Sequence, residues 1–113
     1  MWMSEVEAAA SLTSAIKGGL VVRLGYSPID GGPITLHRVA PIDIRPGDSE
    51  STRSVSYLWA YCFDRHRVEK HRLPGIRTVT VTEERFDTTA VMNTFREQGW
   101  QVPGDWVVSR DWA

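Results

Sequence analysis

Five short runs of strand-forming residues, each ended by a turn, fill most of the chain between residues 20 and 82. They are rich in β-branched and aromatic residues, whereas Gly, Pro and Asp cluster between them. The runs are Leu20–Tyr26, Ile34–Ile44, Ser54–Phe63, His66–Leu73 and Ile76–Thr82. Short turns favour antiparallel pairing, because parallel strands need long crossovers. The pattern predicts a mainly β, α+β fold, with about five antiparallel strands in a small β-barrel or a curved sheet.

A helix is predicted on each side of these strands. Ser4 can cap the first helix, and Gly18-Gly19 end it after Lys17. The apolar stripe of this helix consists of Ala8, Leu12, Ala15 and Ile16. Asp87 can cap a second helix that continues to about Gln98. The predicted order is therefore helix, five strands, helix.

Pro41 interrupts the second of the strand runs. Because proline lacks a backbone N–H, it cannot donate to a strand ladder. Pro41 therefore predicts either an edge position or a β-bulge at that point.

A length of 113 residues is typical of a single domain. We assign residues 1–87 to one module that includes the first helix, and residues 88–113 to a C-terminal helix and Trp-rich tail that pack on the same domain. The single cysteine, Cys62, excludes a disulfide framework and a cysteine-based zinc site. No segment reaches the roughly 18 apolar residues of a membrane span, and the acidic N-terminus lacks a secretory pattern. We expect no membrane partner and a cytoplasmic location.

The formal net charge of −1 hides an uneven distribution of charge. Residues 17–82 contain ten basic and six acidic residues, whereas the segments on both sides are acidic. Within residues 65–77, only Glu69 opposes a cluster of basic residues, namely Arg65, Arg67, Lys70, Arg72 and Arg77. A local basic stripe can attract anions even on a nearly neutral protein.

Strand alternation places Lys70 and Arg72, together with His66, on one face of the fourth run. The run before it carries an aromatic row of Tyr57, Trp59, Tyr61 and Phe63. A basic row beside an aromatic row is typical of proteins that bind single-stranded nucleic acid. Two other interpretations stay open: the basic strand is a solvated sheet edge, and the aromatic row is core. Leu58, Ala60 and Cys62 form a second apolar face of the same strand, which predicts burial of the strand on both sides.

The segment Tyr57–Cys62, followed by His71-Arg72-Leu73, Ile76 and Glu84-Arg85-Phe86, resembles the WYL domain, a bacterial regulatory module named for a Trp-Tyr-Leu motif. Upstream, Leu24-Gly25-Tyr26 and Arg38-Val39-Ala40-Pro41 are similar to earlier parts of that family, so the resemblance covers residues 5–86. The chain departs from the family pattern at Ser56, Glu69, His71 and Gly75. These departures leave the usual basic pocket incomplete, unless Arg65, Arg67, Lys70 or Arg77 supplies the missing charge.

The resemblance implies a barrel of the Sm or SH3 type and a role in ligand sensing or transcription regulation. Members of the family include regulators with a DNA-binding domain, proteins that bind single-stranded nucleic acid, and standalone accessory proteins in phage defence. No DNA-binding winged helix fits into the residues before the first strand of this chain.

The favoured function is a non-enzymatic regulatory or accessory module that binds single-stranded nucleic acid or a nucleotide-like anion. In this hypothesis Arg38 and Arg72 contact the anion, Tyr57 stacks on the ligand, and other residues complete the site, namely Arg65, Arg67, Lys70 and His71. No catalytic constellation and no need for a cofactor are found, and the spacing of the three histidines matches no familiar metal pattern.

A second hypothesis gives the chain a role in protein–protein interaction or oligomerisation. Trp100, Trp106 and Trp112 recur in the acidic tail, and tryptophan is enriched at interface hot spots. Trp106 and Trp112 would then form the interface, either in a homodimer or with a transcriptional or phage-defence effector.

Overall fold

The computed structural model describes residues 3–27, 31–46, 50–51 and 54–98. Two helices and five strands follow one another in the predicted order. They are α1 (Glu5–Gly18), β1 (Leu20–Tyr26), β2 (Thr35–Pro46), β3 (Ser56–Cys62), β4 (Arg67–Arg72), β5 (Ile76–Arg85) and α2 (Thr88–Glu97), with a 3-10 turn at Leu73–Gly75 between β4 and β5. Neither described helix is long and apolar enough to cross a membrane.

Both helices begin at the predicted capping residues. The Ser4 side chain accepts from the Glu7 backbone N–H, and the Glu7 carboxylate accepts from the Ser4 N–H, which completes a capping box. Asp87 caps α2 by accepting from the Ala90 N–H. The predicted apolar stripe of α1 is buried in full: Ala8, Leu12, Ala15 and Ile16.

The five strands form one antiparallel sheet in the order β4-β3-β2-β1-β5. The outer strands β4 and β5 do not pair within the described residues, so the sheet is open. The predicted closure into a barrel is not observed, and the open sheet agrees with the alternative prediction of a curved sheet. The chain passes between the two edges through Leu73–Gly75, where Pro74 has no N–H to donate to a ladder. The sheet nevertheless curls, as a contact between distant strands shows: the Arg72 N–H at the β4 edge donates to the Tyr26 hydroxyl at the end of β1.

The prediction of a bulge at Pro41 is confirmed, but the alternative of an edge position is wrong. β2 lies inside the sheet, between β1 and β3. Its register with β3 shifts between Pro41 and Asp43, and this irregularity accommodates a residue that cannot donate a ladder hydrogen bond.

The sheet is covered on both faces, as the alternation in β3 predicts. On one face α1 packs on Leu24, Val39, Leu58 and Cys62, all fully buried. On the other, Val91, Met92 and Phe95 of α2 pack on Ala40, Ile42 and Val68, with Trp59, Tyr61 and Phe63 at the margin. We call these the α1 face and the α2 face. Burial of each large apolar side chain stabilises the fold by about 1.5–3 kcal/mol.

Candidate functional site

The predicted basic and aromatic rows of β4 and β3 do lie on one face. Lys70 pairs with Trp59 and Arg72 with Tyr57 in the antiparallel register, which places these side chains on the α2 face. The Lys70 ammonium lies 4.8 Å from the Tyr57 ring centroid and 5.4 Å from that of Trp59. We call these four residues the Lys70 surface. Lys70 is exposed, and no carboxylate of a described residue lies within ion-pair distance of it.

Tyr57 itself is only 8% exposed, and Lys70 lies over its ring. A base can stack on an aromatic ring only where a face of that ring is open. Tyr57 is therefore a packed side chain, whereas Trp59, Tyr61 and Phe63 are only partly buried beside the cluster under α2. The cation above Tyr57 is the group that a ligand can reach first.

Arg65 and Arg67 do not join the Lys70 surface. Both guanidinium groups bind the same oxygen of Glu69, Oε2, at 2.9 Å from Arg65 and 3.1 Å from Arg67. Register places Arg67 opposite Cys62 and Glu69 opposite Ala60, and both partners are core residues on the α1 face. Glu69 therefore offsets one of the two positive charges, and both arginines are held at this carboxylate.

Arg38 lies with a second arginine that the sequence analysis did not select. Arg23 of β1 pairs directly with Arg38 of β2. Together they line a cleft of about 320 Å³ on the α2 face, with Gly25, Leu36, Asp64, Thr78 and Thr80 among its other walls. We call this the arginine cleft. Arg23 is exposed, and its guanidinium makes no hydrogen bond or ion pair with any described residue.

Arg38 is more constrained than Arg23. Its guanidinium forms an ion pair with Glu84 and lies 4.5 Å from the Phe63 ring centroid. Its backbone N–H donates to Asp64 at 3.1 Å. An anion in the arginine cleft would find Arg23 unpaired and would compete with Glu84 for Arg38.

The arginine cleft and the Lys70 surface are separate sites. Lys70 pairs with Trp59, which in turn pairs with Asp43, five positions along β2 from Arg38. α2 packs on Ala40 and Ile42 between them. Strand spacings of about 4.8 Å across the sheet and about 3.4 Å along it separate the two sites by roughly 20 Å.

His71 lies on the opposite face, in a buried cluster with His37 and Glu69. Each of the three residues offers one potential metal-ligand atom, and these three atoms lie within 4.8 Å of one another. Glu69 Oε1 is 3.9 Å from His37 Nδ1 and 3.6 Å from His71 Nε2. The cluster lines a cavity of about 390 Å³ whose walls also include Tyr26, Thr35 and Arg65. A predicted anion contact from His71 is not supported by this position, because the group facing it is a carboxylate.

Burial governs the ionisation of the two histidines. Desolvation lowers the pKa of His71 to about 4, with Glu69 opposing the shift. Desolvation and then the nearby Arg65 charge lower the pKa of His37. Burial raises the pKa of Glu69, but hydrogen bonds from Arg67 and Arg65 outweigh that effect and keep its pKa below the ordinary value. At neutral pH the cluster therefore consists of two neutral imidazoles and one carboxylate.

Of the site residues that the sequence did not predict, one could have been recognised from the sequence. Arg23 is a charged residue within an otherwise apolar strand run, and this interruption could have marked it. His37 and Glu69 gave no such signal, because the sheet brings together residues 32 positions apart.

Trp106 and Trp112, the predicted interface residues, lie outside the described residues. Cys62 is buried as predicted, and burial raises the pKa of its thiol.

Comparison with solved structures shows that the fold of this chain is similar to part of a larger protein. The solved structure of proteasome accessory factor B/C (PafBC) of Arthrobacter aurescens is similar to this chain, with a TM-score of 0.67 and 24% sequence identity. The match covers 88% of this chain and 14% of the PafBC chain. No family model and no curated protein matches the chain. At this identity the match shows a shared fold, and it supports the WYL-like fold that the sequence resemblance implies.

Proposed function

We propose that the chain is a non-enzymatic regulatory module that binds a phosphate-bearing ligand, either single-stranded nucleic acid or a nucleotide, with a phosphate in the arginine cleft. The observation that carries the proposal is the direct cross-strand pairing of Arg23 and Arg38 at the wall of that cleft. Like charges placed directly opposite one another destabilise a sheet. A bound phosphate would place negative charge between the two guanidinium groups, which would offset their repulsion and form a charge-assisted hydrogen bond with each.

The cleft also has room for such a ligand. Gly25 contributes no side chain to its floor, and Thr78 and Thr80 of β5 offer hydroxyl groups beside the arginines. Asp64 and Glu84 equal the two arginines in number, so the formal local charge is zero before a ligand binds. We therefore expect modest affinity that depends on displacement of Glu84 from Arg38.

The fold comparison and the motif resemblance support the regulatory part of the proposal. The similar solved chain is called a proteasome accessory factor, and the Tyr57–Cys62 segment resembles a regulatory domain family. We also propose that the five strands have an arrangement related to the Sm or SH3 barrels. The hydrogen bond from the Arg72 N–H to the Tyr26 hydroxyl, which joins the two sides of the curled sheet, supports it.

The test measures binding of two probes to the full chain by fluorescence anisotropy. One probe is a labelled oligothymidylate of about ten nucleotides, and the other is a labelled ADP. Arg23→Gln and Arg38→Gln should each lower the affinity for both probes by about tenfold, which corresponds to about 1.4 kcal/mol of binding free energy. Lys17→Gln, on α1 at the other face, removes one positive charge and serves as the control.

Lys70→Gln distinguishes the two ligand types. The Lys70 surface lies roughly 20 Å from the arginine cleft, so a single nucleotide cannot reach both sites but an oligonucleotide can. Loss of oligonucleotide affinity alone would assign the ligand as single-stranded nucleic acid. If Arg23→Gln and Arg38→Gln bind both probes as the Lys17→Gln variant does, the proposed site is wrong.

A further inference from the structure

The cluster of His37, Glu69 and His71 is distinct from the arginine cleft and lies on the other face of the sheet. His71 pairs with Leu58, Glu69 with Ala60, and His37 with Leu24, all partners on the α1 face. The three side chains are 4%, 10% and 4% exposed for His37, Glu69 and His71 respectively. The anion proposal leaves this set of side chains without a role.

The two carboxylate oxygens of Glu69 have different surroundings. Oε2 accepts from Arg65 and Arg67, whereas Oε1 is buried without a hydrogen-bond partner among the described residues. Oε1 points to the same space as His37 Nδ1 and His71 Nε2. A buried carboxylate oxygen without a donor is costly, so this space favours a cation.

Thr35 holds the His37 ring from its outer nitrogen. Nε2 of His37 shares a hydrogen bond of 2.7 Å with the Thr35 hydroxyl, which also lies 3.3 Å from the Tyr26 carbonyl oxygen. The other ring nitrogen, Nδ1, faces Glu69 Oε1 at 3.9 Å. A ring that is held by a hydrogen bond at one nitrogen and turns the other toward a shared space is typical of metal-binding histidines.

We propose that His37 Nδ1, Glu69 Oε1 and His71 Nε2 bind a divalent transition-metal ion of the zinc type. Two imidazole nitrogens and one carboxylate oxygen suit Zn²⁺ or Co²⁺, whereas Mg²⁺ and Ca²⁺ prefer oxygen ligands alone. Donors around a tetrahedral zinc lie roughly 3.3 Å apart. The two Glu69–histidine distances, 3.6 and 3.9 Å, would shorten by about 0.3 and 0.6 Å, and the two histidine nitrogens, which lie within 4.8 Å of each other, would also move closer.

The cavity beside the cluster leaves room for a fourth ligand. It measures about 390 Å³, and its walls include Gly32 and the exposed Pro33. A water molecule or an anionic group from a ligand could complete the coordination. Arg65 and Arg67 act against the metal, because they already balance the charge of Glu69. Removal of one of them, in Arg67→Gln, should therefore strengthen metal binding.

The experiment titrates the full chain, free of any histidine tag, with Co²⁺ and then with Zn²⁺. One Co²⁺ per chain with the visible absorption of tetrahedral cobalt, displaced by Zn²⁺, is the expected result. His37→Ala, Glu69→Gln and His71→Ala should each weaken binding by more than about 100-fold. His66→Ala is the matched control, because His66 is exposed in the turn before β4 and lies outside the cluster.

Buried variants can fail to fold, so a second measurement uses the wild-type chain. Long-range ¹H–¹⁵N spectra of the histidine rings should show Zn²⁺-dependent shifts of Nδ1 in His37 and Nε2 in His71, with His66 unchanged. The proposal is overturned if Zn²⁺ shifts none of the His37 and His71 nitrogens. It is also overturned if folded His37→Ala and His71→Ala variants bind Co²⁺ as tightly as the His66→Ala variant.

Discussion

The backbone N–H of Arg72 donates to the hydroxyl oxygen of Tyr26 at 3.0 Å. Arg72 ends the outer strand β4, and Tyr26 ends β1, which lies three places away in the sheet. A side chain thus satisfies an edge group that strand pairing leaves free. The sheet must curl for this contact to form, and the curl brings His71 to a ring-centroid distance of 5.3 Å from His37.

Tyr26→Phe should lower the free energy of unfolding by about 0.5–1.5 kcal/mol, because the Arg72 N–H loses its acceptor. Urea denaturation followed by tryptophan fluorescence measures the change. Tyr61→Phe is the control, since no described residue hydrogen-bonds to the Tyr61 hydroxyl. Equal stability of Tyr26→Phe and wild type would mean that the hydroxyl does not hold the curl of the sheet.

Gly25→Ala should destabilise the fold by about 1–3 kcal/mol through overpacking. Gly25 pairs with Thr78 of β5, and an added Cβ would collide with the Thr78 hydroxyl oxygen. The double variant Gly25→Ala/Thr78→Ala should recover most of that loss, as measured in a double-mutant cycle by urea denaturation. Additive effects of the two substitutions would rule out this collision as the cause.

Glu84→Gln should strengthen binding of oligothymidylate by several-fold, because the substitution frees Arg38 from its ion pair. For Arg23→Gln, the slope of log affinity against log salt concentration should become shallower by about 0.7, the value for one phosphate contact to a single strand. Anisotropy titrations at several salt concentrations give both quantities. A salt slope that Arg23→Gln leaves unchanged would show that Arg23 contacts no phosphate.

The Cys62 thiol should react slowly with an aromatic disulfide reagent in the folded chain. Burial raises its pKa, so the thiolate forms only at higher pH than in the unfolded chain. We expect a rate at least about tenfold lower than in urea, and a rise with pH that begins later than for the unfolded thiol. A folded-state rate equal to that in urea would contradict burial of the thiol. The chain has no second cysteine to confuse the measurement.

Thr35→Val should weaken Co²⁺ binding by about tenfold, because Thr35 positions His37 without contacting the metal. Thr35→Ser keeps the hydroxyl and should retain wild-type affinity. The ¹⁵N shifts of His37 report the tautomer directly and should change in Thr35→Val before any metal is added. Wild-type shifts in Thr35→Val would show that Thr35 does not fix the tautomer.

Local patterns predicted the elements well. The caps at Ser4 and Asp87 depend on groups three residues away, so both partners of each capping hydrogen bond can be recognised in the local sequence. The two-sided burial of β3 follows from alternation within one strand. The bulge at Pro41 follows from a missing N–H.

The site could be predicted only in part. Lys70 was correctly placed beside the aromatic row, since neighbouring hairpin strands have a restricted register. Arg38 was selected, but its partner Arg23 lies on another strand, and the two meet only because of the β1–β2 register. Arg65 and Arg67 were assigned to a ligand, whereas folding directs both toward Glu69.

Local sequence patterns are sufficient to predict the helices, the strands and their two apolar faces, because these depend on residues within a few positions of one another. The identity of the edge strands and the curl of the sheet emerge only when the chain folds. Both features depend on contacts between distant segments, such as Tyr26 with Arg72. The same curl places His37, Glu69 and His71 around one buried space, a juxtaposition that no spacing along the chain could indicate.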